Sequence, residues 1–172
     1  DWSSDVCSSD LMSEQLRKKI NEAVLALEGP IVVFGAGGFI GANLFRAIHK
    51  YRRDVFAVTS KPFVPWRLDD IDQNHILHCN IINKDQVKNV FEKYQFKSIF
   101  DLVAYGAYSK QDDVMLTYET NLMGLLNLLE ITSCFSIKAF IHAGSSSGYG
   151  LNASAPAEED SLMPNSHYAV TK

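Results

Sequence analysis

Short apolar runs alternate along the chain with longer stretches whose apolar positions recur every three or four residues. The runs IVVF (31–34), VFAVT (55–59), HILHC (75–79), SIFDLVA (98–104) and AFIHAG (139–144) have the length and β-branched content of buried strands. Between them the helical period takes over. SEQLRKKINEAVLALEGP (13–30) carries an apolar stripe at Leu16, Ile20, Val24 and Leu27, a capping residue in Ser13, and a stop at Gly29-Pro30. A helix follows the glycine-rich turn after residue 34 and runs to about Tyr51. KDQVKNVFEKY (84–94) sets Val87, Val90, Phe91 and Tyr94 on one side. VMLTYETNLMGLLNLLEITSC (114–134) reads as one long helix whose leucine-rich middle is core. Strand–helix alternation predicts an α/β fold: a doubly wound parallel sheet in the order 3-2-1-4-5, covered on both faces.

The ends of the chain alter this picture. Residues 1–11, DWSSDVCSSDL, have neither the basic nor the apolar region of a signal peptide. They match the translation of a short-read sequencing adapter and are expected to be foreign to the fold. The expected organisation is an 11-residue tail, an N-terminal helix over 12–29, and a partial domain over 30–172. The tail holds Asp1, Asp5 and Asp10 and no basic residue, so beyond it 17 acidic residues face 16 basic ones. That balance gives no footprint for nucleic acid or an anionic membrane. No apolar run approaches the ~18 residues that span a bilayer. Cys79 and Cys134, the cysteines outside the tail, are too few for a disulfide framework and suit a reducing cytoplasm.

Chemistry concentrates at the ends of the expected strands. In VVFGAGGFIGANLF, Gly35, Gly38 and Gly41 follow a strand and open a helix. They allow a tight turn, approach of the backbone to a pyrophosphate, and close helix–strand packing. The helix N-terminus adds unpaired N–H groups and the positive end of a dipole. About 20 residues on, a carboxylate would hold the ribose 2′-OH of NAD. Here Thr59, Ser60 and Lys61 stand at that place. Lys61 is either a partner for the 2′-phosphate of NADP or a solvated loop lysine. At the other end, Tyr168 and Lys172 are four residues apart, which on a helix is one face. Seven tyrosines and 11 lysines produce such a pair by chance in roughly every second chain of this composition. The pair gains meaning from Ser145 in HAGSSSGYG, just past the fifth strand, because ligands of open α/β sheets bind beyond the carboxyl ends of the strands. His75 and His78 alternate across a strand, so one metal ion cannot easily take both; no metal site is expected. Phe63, Pro65 and Trp66 read as loop packing.

GAGGFIG, DLVAYGA, NLMGLLNLLE, SSSGYG and PNSHYAVTK occur in an order that resembles the extended short-chain dehydrogenase/reductases. The likeness is strongest to the NAD-dependent epimerase/dehydratase group acting on nucleotide sugars, over residues 31–172. The resemblance implies a Rossmann domain truncated after its fifth strand and the start of the catalytic helix, with the C-terminal substrate lobe missing. It implies that Ser145, Tyr168 and Lys172 are the catalytic triad. Gly35, Gly38, Phe39, Ile40 and Gly41 would form the pyrophosphate turn, and Asn80 and Ile81 the adenine contact. Val103, Ala104 and Tyr105 would line the cofactor, NAD or NADP, and Asn121 would be a buried structural residue. An isolated phenol holds its proton to about pH 10; in the family a lysine ammonium and the positive nicotinamide favour the phenolate. Two departures stand out. Asn80 replaces the usual Asp. Ser146 and Ser147 occupy the places where 4,6-dehydratases carry Asp-Glu, which disfavours elimination of water.

The resulting expectation is an NAD(P)-dependent epimerase or reductase of a nucleotide sugar, homodimeric at full length, with this fragment inactive. Two alternatives stay open. One is a reductase or dehydrogenase of a non-sugar alcohol or ketone, which the substrate lobe would decide. The other is a non-catalytic dinucleotide-binding regulator, against which the three triad residues argue.

Overall fold

The computed structural model describes residues 14–108, 110–152 and 154–172. The foreign tail and the Ser13 cap expected from the sequence lie outside the described residues. Five strands form one parallel sheet: β1 (Ile31–Phe34), β2 (Val55–Thr59), β3 (Ile76–His78), β4 (Ser98–Asp101) and β5 (Ala139–His142). Their order is β3-β2-β1-β4-β5, as the alternation predicts. Helices α1 (Glu14–Ala26), α2 (Phe39–His49), α3 (Lys84–Tyr94), α4 (Val114–Tyr118), α5 (Gly124–Thr132) and α6 (His167–Val170) surround it.

β1 is buried at all four residues and divides its side chains between two cores. Ile31 and Val33 pack with Ala42, Phe45 and Ile48 of α2. Val32 and Phe34 pack with Val87 and Phe91 of α3 and Leu128 and Ile131 of α5. This two-sided burial is why the strand reads as an unbroken apolar run. Each fully buried phenylalanine contributes roughly 1.5–3 kcal/mol relative to exposure. α3 has the clearest local ends: the Asn83 side chain accepts from Gln86 N, and Gln95 closes the helix in the left-handed region at φ 53°.

Three expectations need correction. The 114–134 helix is interrupted: residues Glu119–Met123 form a π turn between α4 and α5. Its leucine-rich stretch is only half core, since Leu128 is buried while Leu122, Met123, Leu126 and Leu129 are exposed. A helix lying on one face of a sheet can bury one stripe only. α1 docks by its last turn: Val24 is buried and Leu27 packs against the core, but Leu16 and Ile20 are exposed. The Arg52 guanidinium pins that end, donating to Leu27 O and pairing with Asp54 at 2.6 Å. Trp66 does not pack its loop; it is 72% exposed, with the Arg67 guanidinium 4.3 Å from its ring centroid. Cys79 is a buried thiol, pushed up to about 11 by desolvation, and Cys134 is exposed. Among the described residues no helix is long and apolar enough to cross a membrane.

Candidate active site

The chain turns as soon as β1 ends. Gly35 has φ +75°, and a Cβ there would stand 2.7 Å from the carbonyl carbon and oxygen of Leu102 and 2.9 Å from Val103 N. Glycine is required both for the backbone conformation and for this approach to the segment behind β4. Gly38 N donates to Gly35 O at 3.0 Å, and Gly38 then caps α2 with no side-chain acceptor. A Cβ on Gly41 would overlap the Gly35 carbonyl. Phe39 and Ile40 turn their side chains to solvent, 70% and 67% exposed. The first turn of α2 therefore has no side-chain cap, and its Phe39 and Ile40 side chains stand in solvent. A pyrophosphate fits such a cradle: main-chain donors, the positive end of an eleven-residue helix, and no bulk where glycines stand.

The end of β2 borders this turn. Thr59 is buried, and its hydroxyl lies 3.3 Å from both Lys61 O and His78 Nδ1. Ser60 and Lys61 are exposed, with Lys61 Nζ 5.4 Å from the Phe63 ring centroid. Pro65 closes on Gly37, where a Cβ would come within 2.9 Å of its ring. Beyond β3, Asn80 uses its side-chain oxygen to accept from Ile82 N at 3.1 Å. Ile81 is 4% exposed and packs into the space left by Gly124, so its side chain serves the core and offers a ligand little surface. His75 and His78 go to different partners: His75 Nδ1 lies 3.0 Å from Val55 O, on the edge of the His49 ring. No group of three or more metal-ligating side chains forms among the described residues.

The segment after β4 is where the site comes together. Asn121, buried in the π turn, accepts from Tyr105 N at 2.8 Å and donates to Tyr105 O at 2.8 Å and to Thr171 Oγ1 at 2.9 Å. It ties the post-β4 segment to α6. Ser166 caps α6 by accepting from Ala169 N at 3.1 Å. Helix α6 holds Tyr168, and Lys172 follows two residues after its last residue, Val170. Lys172 Nζ reaches back to donate to Val103 O at 3.2 Å. Burial lowers the lysine's affinity for its proton, and the charge of Asp101 opposes that shift. Val103 itself is partly buried, and Ala104 is exposed.

Ser145 follows β5. Its hydroxyl oxygen accepts from Ser147 N at 3.1 Å, which leaves its O–H free to donate. A cavity of about 340 Å³ opens beside it, lined by Ser146, Ser147, Gly150, Pro156, Asn165 and Ser166. Lys172, Val103 and the glycine turn are thus brought together. Among the described residues no hydrogen bond joins the Tyr168 hydroxyl to Ser145 or Lys172. Asp101 and His142 were missed by the sequence reading. Asp101 Oδ1 accepts from Val103 N at 3.1 Å, and Oδ2 lies 2.8 Å from His142 Nδ1. The available signal was a charged and a titratable residue at the carboxyl ends of two otherwise apolar strands.

Parallel order, uncapped glycine turn and ligand crevice beyond the strand ends define a dinucleotide-binding domain of the Rossmann type. The chain belongs to the NAD dependent epimerase/dehydratase family, whose model matches residues 31–172. It is 30% identical over 159 residues to a UDP-glucuronate 4-epimerase of Thermodesulfobacterium geofontis (strain OPF15), covering 84% of this chain and 48% of that protein. It is 31% identical over 153 residues to Protein CapI of Staphylococcus aureus, covering 83% and 46%. Among solved structures, UDP-glucose 4-epimerase of Thermotoga maritima with UDP-glucose superposes with a TM-score of 0.73 at 23% identity, covering 83% and 47%. Bordetella bronchiseptica WbmG, solved with NAD and UDP, also gives 0.73, at 17% identity, covering 83% and 46%. The chain spans about half the length of the curated relatives it matches.

Proposed function

We propose that this chain is the cofactor-binding half of an NAD(P)-dependent epimerase of nucleotide sugars, with Ser145, Tyr168 and Lys172 as its catalytic residues. The observation that carries this reading is one stretch of main chain. Gly35 packs against the Leu102–Val103 peptide, and Lys172 donates to the carbonyl of the next peptide, that of Val103. Two elements distant in sequence, the glycine turn and the lysine, therefore meet at a single crevice. The 4-epimerases among the relatives support the substrate class.

In this reading Gly35, Gly38, Phe39, Ile40 and Gly41 bind the pyrophosphate through main-chain amides. Asn80, Val103, Ala104 and Tyr105 line the rest of the dinucleotide, with Ile81 contributing main chain while its side chain stays in the core. The bound dinucleotide supplies hydride acceptance and return. Tyr168 accepts the proton of a sugar hydroxyl as that carbon is oxidised. The Lys172 ammonium stabilises the negative charge developing on the tyrosine oxygen. Ser145, with its O–H free, donates to the sugar oxygen and orients it. With no carboxylate at Thr59, Ser60 and Lys61, NADP is accepted at least as well as NAD. The exposed row Leu122, Leu126 and Leu129 on the α4–α5 run supports a homodimer of the intact protein.

The test is turnover of UDP-glucose and UDP-glucuronate by the intact gene product and its Tyr168→Phe variant. The variant is expected to keep dinucleotide binding and lose at least a thousandfold in kcat, on the scale seen when a proton-transfer group is removed. Wild-type turnover by Tyr168→Phe would falsify the reading.

A further inference from the structure

A buried carboxylate that the proposed chemistry does not use lies behind Lys172. Asp101 ends β4 and is 1% exposed. Both its oxygens are engaged, Oδ1 by Val103 N and Oδ2 by His142 Nδ1. Asp101 and His142 are register partners on β4 and β5, so both side chains leave the sheet on one face. That face is apolar one step earlier, where Ile99 lies in the core. Withdrawing a carboxylate from water is costly unless it is paired and hydrogen-bonded. An apolar residue would fill the position more cheaply, so the charge needs a reason.

The reason lies in the peptide that Asp101 holds. Val103 is fixed at both ends, its N–H on the carboxylate and its carbonyl under Lys172 Nζ. The titratable groups on the elements packed around the lysine are Asp101 of β4, His142 of β5, Tyr105 beyond β4, Tyr168 of α6, and Tyr118 and His167 where α4 meets α6. Of these, Asp101 is the one whose charge acts on Lys172 against the effect of burial. We infer that Asp101, anchored by His142, is the positioning residue for Lys172, fixing its ammonium on the Val103 carbonyl and balancing its charge. The inference rests on the catalytic role proposed above for Lys172.

The test follows the Lys172 side-chain carbon signal by NMR in the intact gene product carrying 13Cε-lysine, assigned by its loss in Lys172→Arg. It is read alongside kcat, KM and the pH profile of turnover. Asp101→Asn keeps the shape and the bond from Val103 N and removes the charge; its amide N–H meets His142 Nδ1 once the ring takes the tautomer that leaves that nitrogen an acceptor. In that variant Lys172 is expected to release its proton at lower pH than in wild type, and the alkaline limb of kcat to move the same way. At neutral pH kcat falls roughly tenfold, while KM for the dinucleotide holds within about twofold. His142→Phe removes the donor and shifts the lysine in the same direction; His142→Asn restores an N–H donor and brings it back. A wild-type Lys172 titration in Asp101→Asn overturns the inference. Should that variant fail to fold, an unmoved Lys172 in His142→Phe overturns it equally. Failure of the catalytic reading shows separately, as wild-type turnover in Tyr168→Phe.

Discussion

The Asn121 amide donates to the Thr171 hydroxyl at 2.9 Å, across 50 positions of sequence. With its two bonds to Tyr105, this fully buried side chain is the clasp between the post-β4 segment and α6. Asn121→Ala leaves the partly buried Tyr105 N–H and C=O without their side-chain partner and removes one of the two bonds of the Thr171 hydroxyl, at a cost of about 1–3 kcal/mol per unsatisfied group. The expected outcome is a lower Tm and loss of turnover in the intact protein, with dinucleotide affinity nearly unchanged. Calorimetric titration with NAD and a thermal melt check it; wild-type turnover with a lowered Tm would separate the clasp from the chemistry.

Gly41→Ala should abolish dinucleotide binding. The new Cβ would overlap the Gly35 carbonyl, a main-chain atom with no rotamer to escape into. Either α2 shifts off β1 or the turn opens, and both remove the amide cradle. Fluorescence titration with NADH is expected to show a Kd weaker by at least about a hundredfold, roughly 2.7 kcal/mol. Unchanged affinity would mean that the phosphates bind elsewhere.

Lys61→Ala should weaken NADP and spare NAD. Lys61 is exposed at the end of β2, with its ammonium 5.4 Å from the Phe63 ring centroid, where it can meet a 2′-phosphate. Loss of one exposed charge pair on a phosphate is worth about 1 kcal/mol, or roughly fivefold in Kd, and the difference should shrink with added salt. Equal effects on both cofactors would assign Lys61 to the solvated loop.

Asp54 gives a stability prediction with a definite sign. The Arg52 guanidinium at 2.6 Å holds the Asp54 carboxyl below its ordinary range, against desolvation. A carboxylate whose folded value is depressed adds stability above its unfolded value, and that stability is lost as pH falls through the folded one. Asp54→Asn is therefore expected to lower stability at neutral pH by about 1 kcal/mol, the pair being partly exposed. The difference from wild type should vanish in strong acid. Urea unfolding as a function of pH checks it; a gap that persists below the folded value would point to packing against Gly29 instead.

The strands and the glycine turn were legible because each rests on a local rule. β1 is buried on both sides and reads as four apolar residues, and Gly35 announces a left-handed turn. Other features were hidden because they depend on what lies across space. The π turn at residues 119–123 leaves no mark in a leucine-rich stretch, since it inserts one residue without changing composition. Leu16 and Ile20 show a proper stripe, yet both are exposed, and the buried residue of α1 is Val24 in its last turn. The Lys172 ammonium finds the Val103 carbonyl, 69 positions away, which no local spacing announces. Asp101 and His142 are adjacent only because β5 pairs beside β4 in register.

The meeting point of glycine turn and lysine is built of main chain. Gly35 approaches the atoms of a peptide bond, and Lys172 takes a backbone carbonyl. Residues Leu102 and Val103 can therefore exchange side chains of similar volume without unwiring the crevice, since every amino acid but proline brings the same N–H and C=O. Sensitivity is displaced to the partners that touch this main chain. Libraries that randomise 102 and 103 should yield many folded, dinucleotide-binding clones, whereas position 35 should return glycine almost alone. The site is robust where it looks central and brittle one strand away.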